Sequence, residues 1–449
     1  MIILICLILF VFFWEINKRA TAICFLVAYI MDGFGLSFMG KTIINSYNVL
    51  FVIANLFLLR YLLKDRKHLE KNKVTNFMLL FYNFLLLSFL FTYFGKIDTL
   101  KYSSSVLRQA STPFLLYFIA IRLKTNEIEK SLKYLSVIYA ILAVLYCFNL
   151  MGIPVYSMKN DRDYDMGSVE YARSFSFLYN SIFFFFYALI YLKKKHKYLS
   201  IIYLINSFFG AARGNLVSII ASICVTFAKY YRRILRPKVL FPTLIVLIPG
   251  ILVYNNFFKE GIERGDTSLS QQIENNFDLS SLTDYNSFVS TRRINGEIWD
   301  LDKGTLAFRT SIALERLNYL IDNPKYLLFG IGMIDEASPN NRFHFILGTQ
   351  DNHYRYGYAQ IDSVDTIWPA PILRYGLVGI CFLLFFFYIF FRFFNKSSTD
   401  MFIVGKLYIL FLFFNSFGQN SPTASGSLIL LFLVYRLCYL SKDTKLSIK

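Results

Sequence analysis

Charge is scarce in this chain. Only 17% of its 449 residues are Asp, Glu, Lys or Arg, where a soluble globular protein carries roughly 25%. That deficit argues against a soluble enzyme. Histidine is scarcer still. The four, His68, His196, His344 and His353, form no H-x-x-x-H pair, and a metal site is not expected. Cysteine is limited to Cys6, Cys24, Cys147, Cys224, Cys381 and Cys438, each inside an apolar run. That placement excludes a disulfide framework or thiolate metal site in the polar parts and leaves the thiols as small packing residues. Segment 1–16 has neither a basic leader nor a small-residue cleavage site, so it is expected to be a retained span.

What abounds is apolar. Hydrophobic residues make up 56% of the chain, with 49 phenylalanines. Ile182-Phe183-Phe184-Phe185-Phe186 and Leu383-Leu384-Phe385-Phe386-Phe387 are too apolar for a solvated surface. A helix needs about 20 apolar residues to cross a bilayer. Apolar segments lie near 1–16, 20–38, 43–63, 75–95, 111–123, 134–153, 174–192, 198–212, 214–230, 239–256, 370–393, 402–418 and 425–440. The expected fold is therefore an all-α polytopic integral membrane protein. It would have about 12 or 13 transmembrane helices and one large, partly helical extracytoplasmic loop.

The net charge of +18 resolves into topology. Basic clusters alternate between apolar segments: Arg60 to Lys73, Arg122 to Lys133, Lys193 to Lys197, and Lys229 to Lys238. Short basic loops stay cytoplasmic, so no nucleic-acid partner is expected. Residues 257–368 then fall outside, with 16 acidic against 10 basic residues, while the remainder holds 13 acidic and 37 basic. The expected organisation is a bundle over 1–256 with outer loops 96–110 and 154–173, a large outer loop domain over 257–368, and C-terminal spans with a short cytoplasmic tail over 369–449.

A structureless loop of about 110 residues is improbable, and this one carries a helical pattern. Apolar residues recur at helical spacing from Leu306 to Leu320, Asn323-Pro324 stops the run, and Gly330 and Gly332 follow in a tight turn. The chemistry-bearing candidates are arginines. Arg213 sits in the tip Gly210-Ala211-Ala212-Arg213-Gly214-Asn215, after an arm of about 15 residues. As helix such an arm rises roughly 22 Å, short of a ~30 Å core, so Arg213 is expected below the outer surface, where arginine is costly. Arg309 begins the loop helix, Arg316 lies seven residues on along much the same face, and Arg173 precedes the span 174–192. Guanidinium forks suit phosphate oxygens; the bland alternatives are snorkelling interfacial arginines and a solvated helix face. Acid–base candidates are His344, His353, Asp351, Asp362 and Asp365. Trp299, Trp368 and the tyrosines 354, 356 and 358 could stack on sugar faces or belong to core and interface.

These residues together resemble the O-antigen polymerase and O-antigen ligase superfamily of bacterial surface polysaccharide assembly. Three stretches carry the resemblance. They are Arg173 to Asn180, the turn Ala212-Arg213-Gly214-Asn215-Leu216, and the run from Arg309 through Asn323-Pro324 and Gly330-Ile331-Gly332 to Asp365-Thr366 and Gly376-Leu377-Val378-Gly379. Ligases of this superfamily carry a His eleven residues before a G-x-x-G; here that position is Asp365, which fits the polymerase branch better. The resemblance implies a GT-C-like fold in the bacterial cytoplasmic (inner) membrane, with its large loop on the periplasmic side. The substrate would be a polyprenyl-diphosphate-linked oligosaccharide within the lipid bilayer. A flippase and a chain-length regulator are the partners to expect, with no cofactor and no metal. Arg213 and Arg309 would hold the diphosphate, with Arg173 and Arg316 assisting. Asp365 would be the base, with His353 in reserve. Alternatives are a ligase or, in a different class, a lipid or sugar transporter.

Overall fold

The structure is a computed structural model. It describes residues 2–35, 46–65, 72–150, 164–166, 169–171, 175–192, 198–203, 213–228, 305–343, 345, 347, 359–362, 366–418 and 421–446. The described residues are predominantly helical. In chain order the helices are α1 (Ile2–Glu15), α2 (Arg19–Ile30), α3 (Ser46–Arg60), α4 (Lys73–Phe94), α5 (Leu100–Leu115), α6 (Tyr117–Ala120), α7 (Thr125–Leu150), α8 (Phe175–Ile190), α9 (Arg213–Phe227), α10 (Thr305–Asp322), α11 (Pro369–Phe394), α12 (Asp400–Asn415) and α13 (Ser425–Leu446). One departure from an all-α chain is a short antiparallel hairpin, β1 (Tyr164–Met166) with β2 (Val169–Tyr171), pairing Asp165 with Glu170. It lies in the stretch expected to be the outer loop 154–173.

The other region expected as an outer loop of the bundle is 96–110. From Leu100 onward it is helix α5, which runs to Leu115. Three of its hydroxyls are buried and do not need water. Ser103, Ser111 and Thr112 each turn the hydroxyl back to the carbonyl four residues earlier, at 2.9, 2.6 and 2.6 Å. Such back-bonding satisfies a hydroxyl inside a helix and lets that face be buried.

Helix order follows from composition. Asn72 caps α4 by accepting from the Thr75 amide at 2.7 Å, which satisfies one of the four orphan donors of a helix start. Twenty-two residues without Pro or Gly follow. Its outward stripe is Leu80, Leu87, Leu90, Phe91 and Phe94, all exposed, while Val74, Phe77, Met78, Phe81 and Leu85 face the core. α7 repeats the pattern with Tyr134, Val137, Ile141 and Val144 exposed. On α13, Leu428 to Tyr435 are all buried, as expected of a helix apolar on every side. It packs against α5, α6, α7, α8 and α12, so it is the central element. Among the described residues α4 and α11 are long and apolar enough to cross a membrane; α1, α2 and parts of α8, α9 and α13 are shorter apolar helices.

α11 is broken. Gly376 has φ 60° and ψ −153°, a conformation open essentially to glycine alone. The break leaves backbone groups to be satisfied, and the turn that follows α10 does so from both sides. The Ile331 and Gly332 amides donate to the Leu373 and Arg374 carbonyls at 2.9 and 3.1 Å, and the Leu377 and Val378 amides donate to the Leu327 and Leu328 carbonyls at 2.9 and 3.1 Å. The glycines of the sequence motifs are there because backbones meet: a Cβ on Gly330 would lie 2.3 Å from the Arg374 carbonyl carbon, and one on Gly376 would lie 2.5 Å from the Leu327 oxygen.

Candidate functional site

The segment after α10 is fastened to the bundle by carboxylates and hydroxyls. Asp98, buried in the turn between α4 and α5, accepts from the Ser338 hydroxyl at 2.6 Å, the Thr99 amide at 2.7 Å and the Asp335 amide at 3.3 Å. Thr92 near the end of α4 accepts from the Met333 amide at 2.8 Å. Arg374, buried on the first half of α11, holds Asp362 in a two-pronged pair at 2.6 and 2.8 Å and donates to the Ile334 carbonyl at 3.0 Å. Glu336 gathers three consecutive amides, those of Gln360, Ile361 and Asp362, at 2.7, 2.7 and 2.9 Å, and the Asn341 side-chain amide at 3.1 Å. A charged acceptor of several N–H groups is well compensated. These contacts fix where residues 359–362 stand relative to α11.

The candidate arginines fare differently. Arg309 is half-buried near the start of α10, and its Nη1 would lie 3.5 Å from a Cβ on Gly418, in the turn that ends α12. The same turn receives the chain entering α11: the Thr366 hydroxyl and the Ile367 amide both donate to the Ser416 carbonyl, at 3.0 and 3.3 Å. A guanidinium therefore stands at the carbonyl end of an apolar helix, where the dipole favours positive charge, at the turn that also receives Thr366. Arg213 is the first residue of α9, which packs on α12; its side chain lies outside the described residues. Two positions along, Asn215 is buried with its Oδ1 unpartnered among the described residues.

Arg316 is placed apart from a solvated helix face. It is fully buried, pairs with Glu315 at 2.8 Å, donates to the Gln360 carbonyl at 2.9 Å, and lies 4.5 Å over the Phe345 ring. The neighbours Tyr319, Phe343 and Phe345 form an aromatic cluster around it. Burial pushes the Tyr319 phenol above its ordinary value, with a further push from Tyr326. Glu315 also accepts from the Leu347 amide at 3.0 Å. Arg309 and Arg316 share a helix, but Arg316 points toward Phe345 and the Gln360 carbonyl and Arg309 toward α12. The bland alternative of a solvated face does not hold for Arg316, because helical spacing tells which face a residue is on and not what covers it.

Arg173, His344, His353, Asp351 and Asp365, like Trp299 and Tyr354, Tyr356 and Tyr358, lie outside the described residues. Trp368 is buried with its ring stacked on Phe417 at 5.2 Å, so that face is taken by protein. Sequence reasoning passed over the fastening residues Asp98, Glu336 and Arg374. Only the charge of Arg374 within an apolar span, six residues into α11, could have signalled one of them. Among the described residues no group of three His, Cys, Asp or Glu is placed to hold a metal. The alternating run Asp161-Arg162-Asp163-Tyr164-Asp165 has a D-x-D spacing, and its side chains are outside the described residues. No protein-family model matches this chain, and neither does any curated protein.

Proposed function

We propose that this chain is a polytopic membrane glycosyltransferase: a polymerase of the O-antigen or capsule kind. It would join polyprenyl-diphosphate-linked oligosaccharide repeat units on the outer face of the bacterial cytoplasmic membrane. The membrane part of the reading is supported by the exposed apolar stripes of α4, α7 and α11, surfaces that a water-soluble monomer rarely carries. The observation that carries the chemistry is Arg309, set at the end of apolar α12 next to the segment that carries Asp365. A lipid diphosphate presents its charge at that boundary between apolar bundle and polar loop.

In this reading the acceptor hydroxyl oxygen attacks the anomeric carbon of the donor glycan. Its proton passes to the Asp365 carboxylate, with His353 as the alternative acceptor. The bond from the anomeric carbon to the diphosphate oxygen breaks, and the electron pair leaves on the diphosphate. Arg309 and Arg213, with Arg173, stabilise that developing charge. Arg316 would act at a distance, by holding the loop domain together around Gln360 and Phe345. No metal or cofactor enters the scheme. A flippase would supply the substrate, and a chain-length regulator would set the product size.

The test is a gel of surface polysaccharide from cells lacking the gene, complemented with wild type, Arg309→Ala or Arg213→Ala at matched protein levels. The expected result is a ladder restored by wild type and absent with either variant, with single repeat units still attached to their final carrier. Loss of all attached glycan, with long lipid-linked polymer accumulating, would mean a ligase. An unchanged ladder in the deletion would mean a transporter or another role. Full chain length and yield with both variants would overturn the assignment of the arginines.

A further inference from the structure

The turn that latches the broken helix also carries an apolar surface with nothing on it among the described residues. Leu328 and Phe329 are 56% and 61% exposed, large values for side chains whose backbones are held so firmly. Their place is fixed by the latch: the Leu377 amide is bonded to the Leu327 carbonyl and the Val378 amide to the Leu328 carbonyl. The exposed pair therefore stands beside Leu377, the first exposed residue after the break. From Leu377 the exposed apolar side chains of α11 continue at Leu384, Phe385 and Tyr388. Their spacings of seven, eight and eleven residues put them on one stripe of the helix. The face of Leu328 and Phe329 is thus continuous with the outward face of α11. Lys325, exposed in the same turn, carries its ammonium 4.6 Å from the Tyr326 ring centroid. An aromatic and a lysine flanking an apolar tip is the composition of a membrane–water boundary, where the ring sits at headgroup depth and the cation reaches the phosphates.

We infer that the turn 324–329 is a membrane-interface anchor. Phe329 and Leu328 enter the acyl region of the outer leaflet, and Lys325 lies at its headgroups. This rests on the membrane reading above and adds to it. The loop domain would be held to the bilayer by its own contact with lipid as well as by the bundle, and α10, with Arg309 near its start, would be held at a fixed height above the lipid. Two other occupants, a second copy of the chain and water, are distinguished by the test.

An extra tryptophan is introduced at Phe329→Trp, at Leu384→Trp on the α11 stripe, and at Ala337→Trp, an exposed position of the loop. Each protein is reconstituted in phosphatidylglycerol–phosphatidylethanolamine vesicles, with brominated lipid as quencher, and the added emission over the parent is measured. The expected result is that lipid brominated near the headgroup quenches most of the Phe329→Trp emission, deeply brominated lipid quenches Leu384→Trp, and neither quenches Ala337→Trp. Quenching of Phe329→Trp no greater than that of Ala337→Trp, with Leu384→Trp still quenched, overturns the anchor and leaves the membrane reading standing. A blue-shifted but unquenched Phe329→Trp would also overturn it and assign the face to protein, a second copy first among the candidates. Failure of Leu384→Trp to be quenched removes the membrane reading and the anchor with it.

Discussion

One methyl group at position 376 would meet the Leu327 carbonyl oxygen at 2.5 Å and would have to adopt φ 60° and ψ −153°. Strain of that kind costs about 1–3 kcal/mol, before the four hydrogen bonds of the latch are disturbed. Gly376→Ala is therefore expected to lower the thermal unfolding midpoint of the purified protein by several degrees. Gly405 is a contrast: its added Cβ would meet the Phe394 ring, at 2.3 Å from Cε1, so the conflict there is with a side chain and is one of packing alone. Arg316 makes a second residue-scale prediction. Removing one partner of a buried pair leaves the other charge uncompensated, at about 3–5 kcal/mol. Arg316→Met should destabilise the protein by that order, and the added change Glu315→Gln should recover part of it. A thermal melt of the single and double variants checks this; additive losses would mean that the pair is not coupled in the folded protein.

At the scale of elements, the α4–α5 turn and the segment 333–341 act as one unit because Asp98 serves three donors at once. Asp98→Ala strands those donors, at about 1–3 kcal/mol for each one left buried. The segment should then open more often. Hydrogen exchange at the Met333 and Asp335 amides should quicken by about tenfold or more, since 1.4 kcal/mol is a factor of ten, while amides in the middle of α13 stay unchanged. Arg374→Lys tests the other fastening. Lysine keeps the charge but loses the planar fork that grips Asp362, so residues 359–362 should exchange faster than in the parent.

The whole molecule makes one prediction of its own. If the positive-inside pattern holds, a cysteine placed beside the basic cluster at Lys64 reacts with a membrane-impermeant maleimide only after the cells are opened. One at Ala337 reacts in intact cells whose outer layer is permeabilised. Equal labelling of both from outside would invert or dissolve the topology on which the proposed function rests.

Helix over most of the described residues, and its location, was legible in the chain. Long apolar runs leave the backbone no alternative, so α4 and α11 appear within a few residues of where composition puts them, and α10 ends at Asn323-Pro324 because proline cannot continue a helix. The sequence by itself also separated an acidic loop from a basic remainder, since charge is additive and needs no geometry. It could not say that residues 100–110 are helix, because hydroxyls that look solvent-seeking in sequence can be satisfied by their own helix. Nor could it say that Arg316 is core while Arg309 faces α12, or that Asp98 holds the segment 335–338 while Glu336, within it, and Arg374 hold residues 360–362. Those outcomes depend on residues as distant as Asp98 and Ser338, 240 positions apart, coming within 2.6 Å of each other. Only the packed chain decides that, because a buried charge is tolerated only where its partners arrive from elsewhere in the fold.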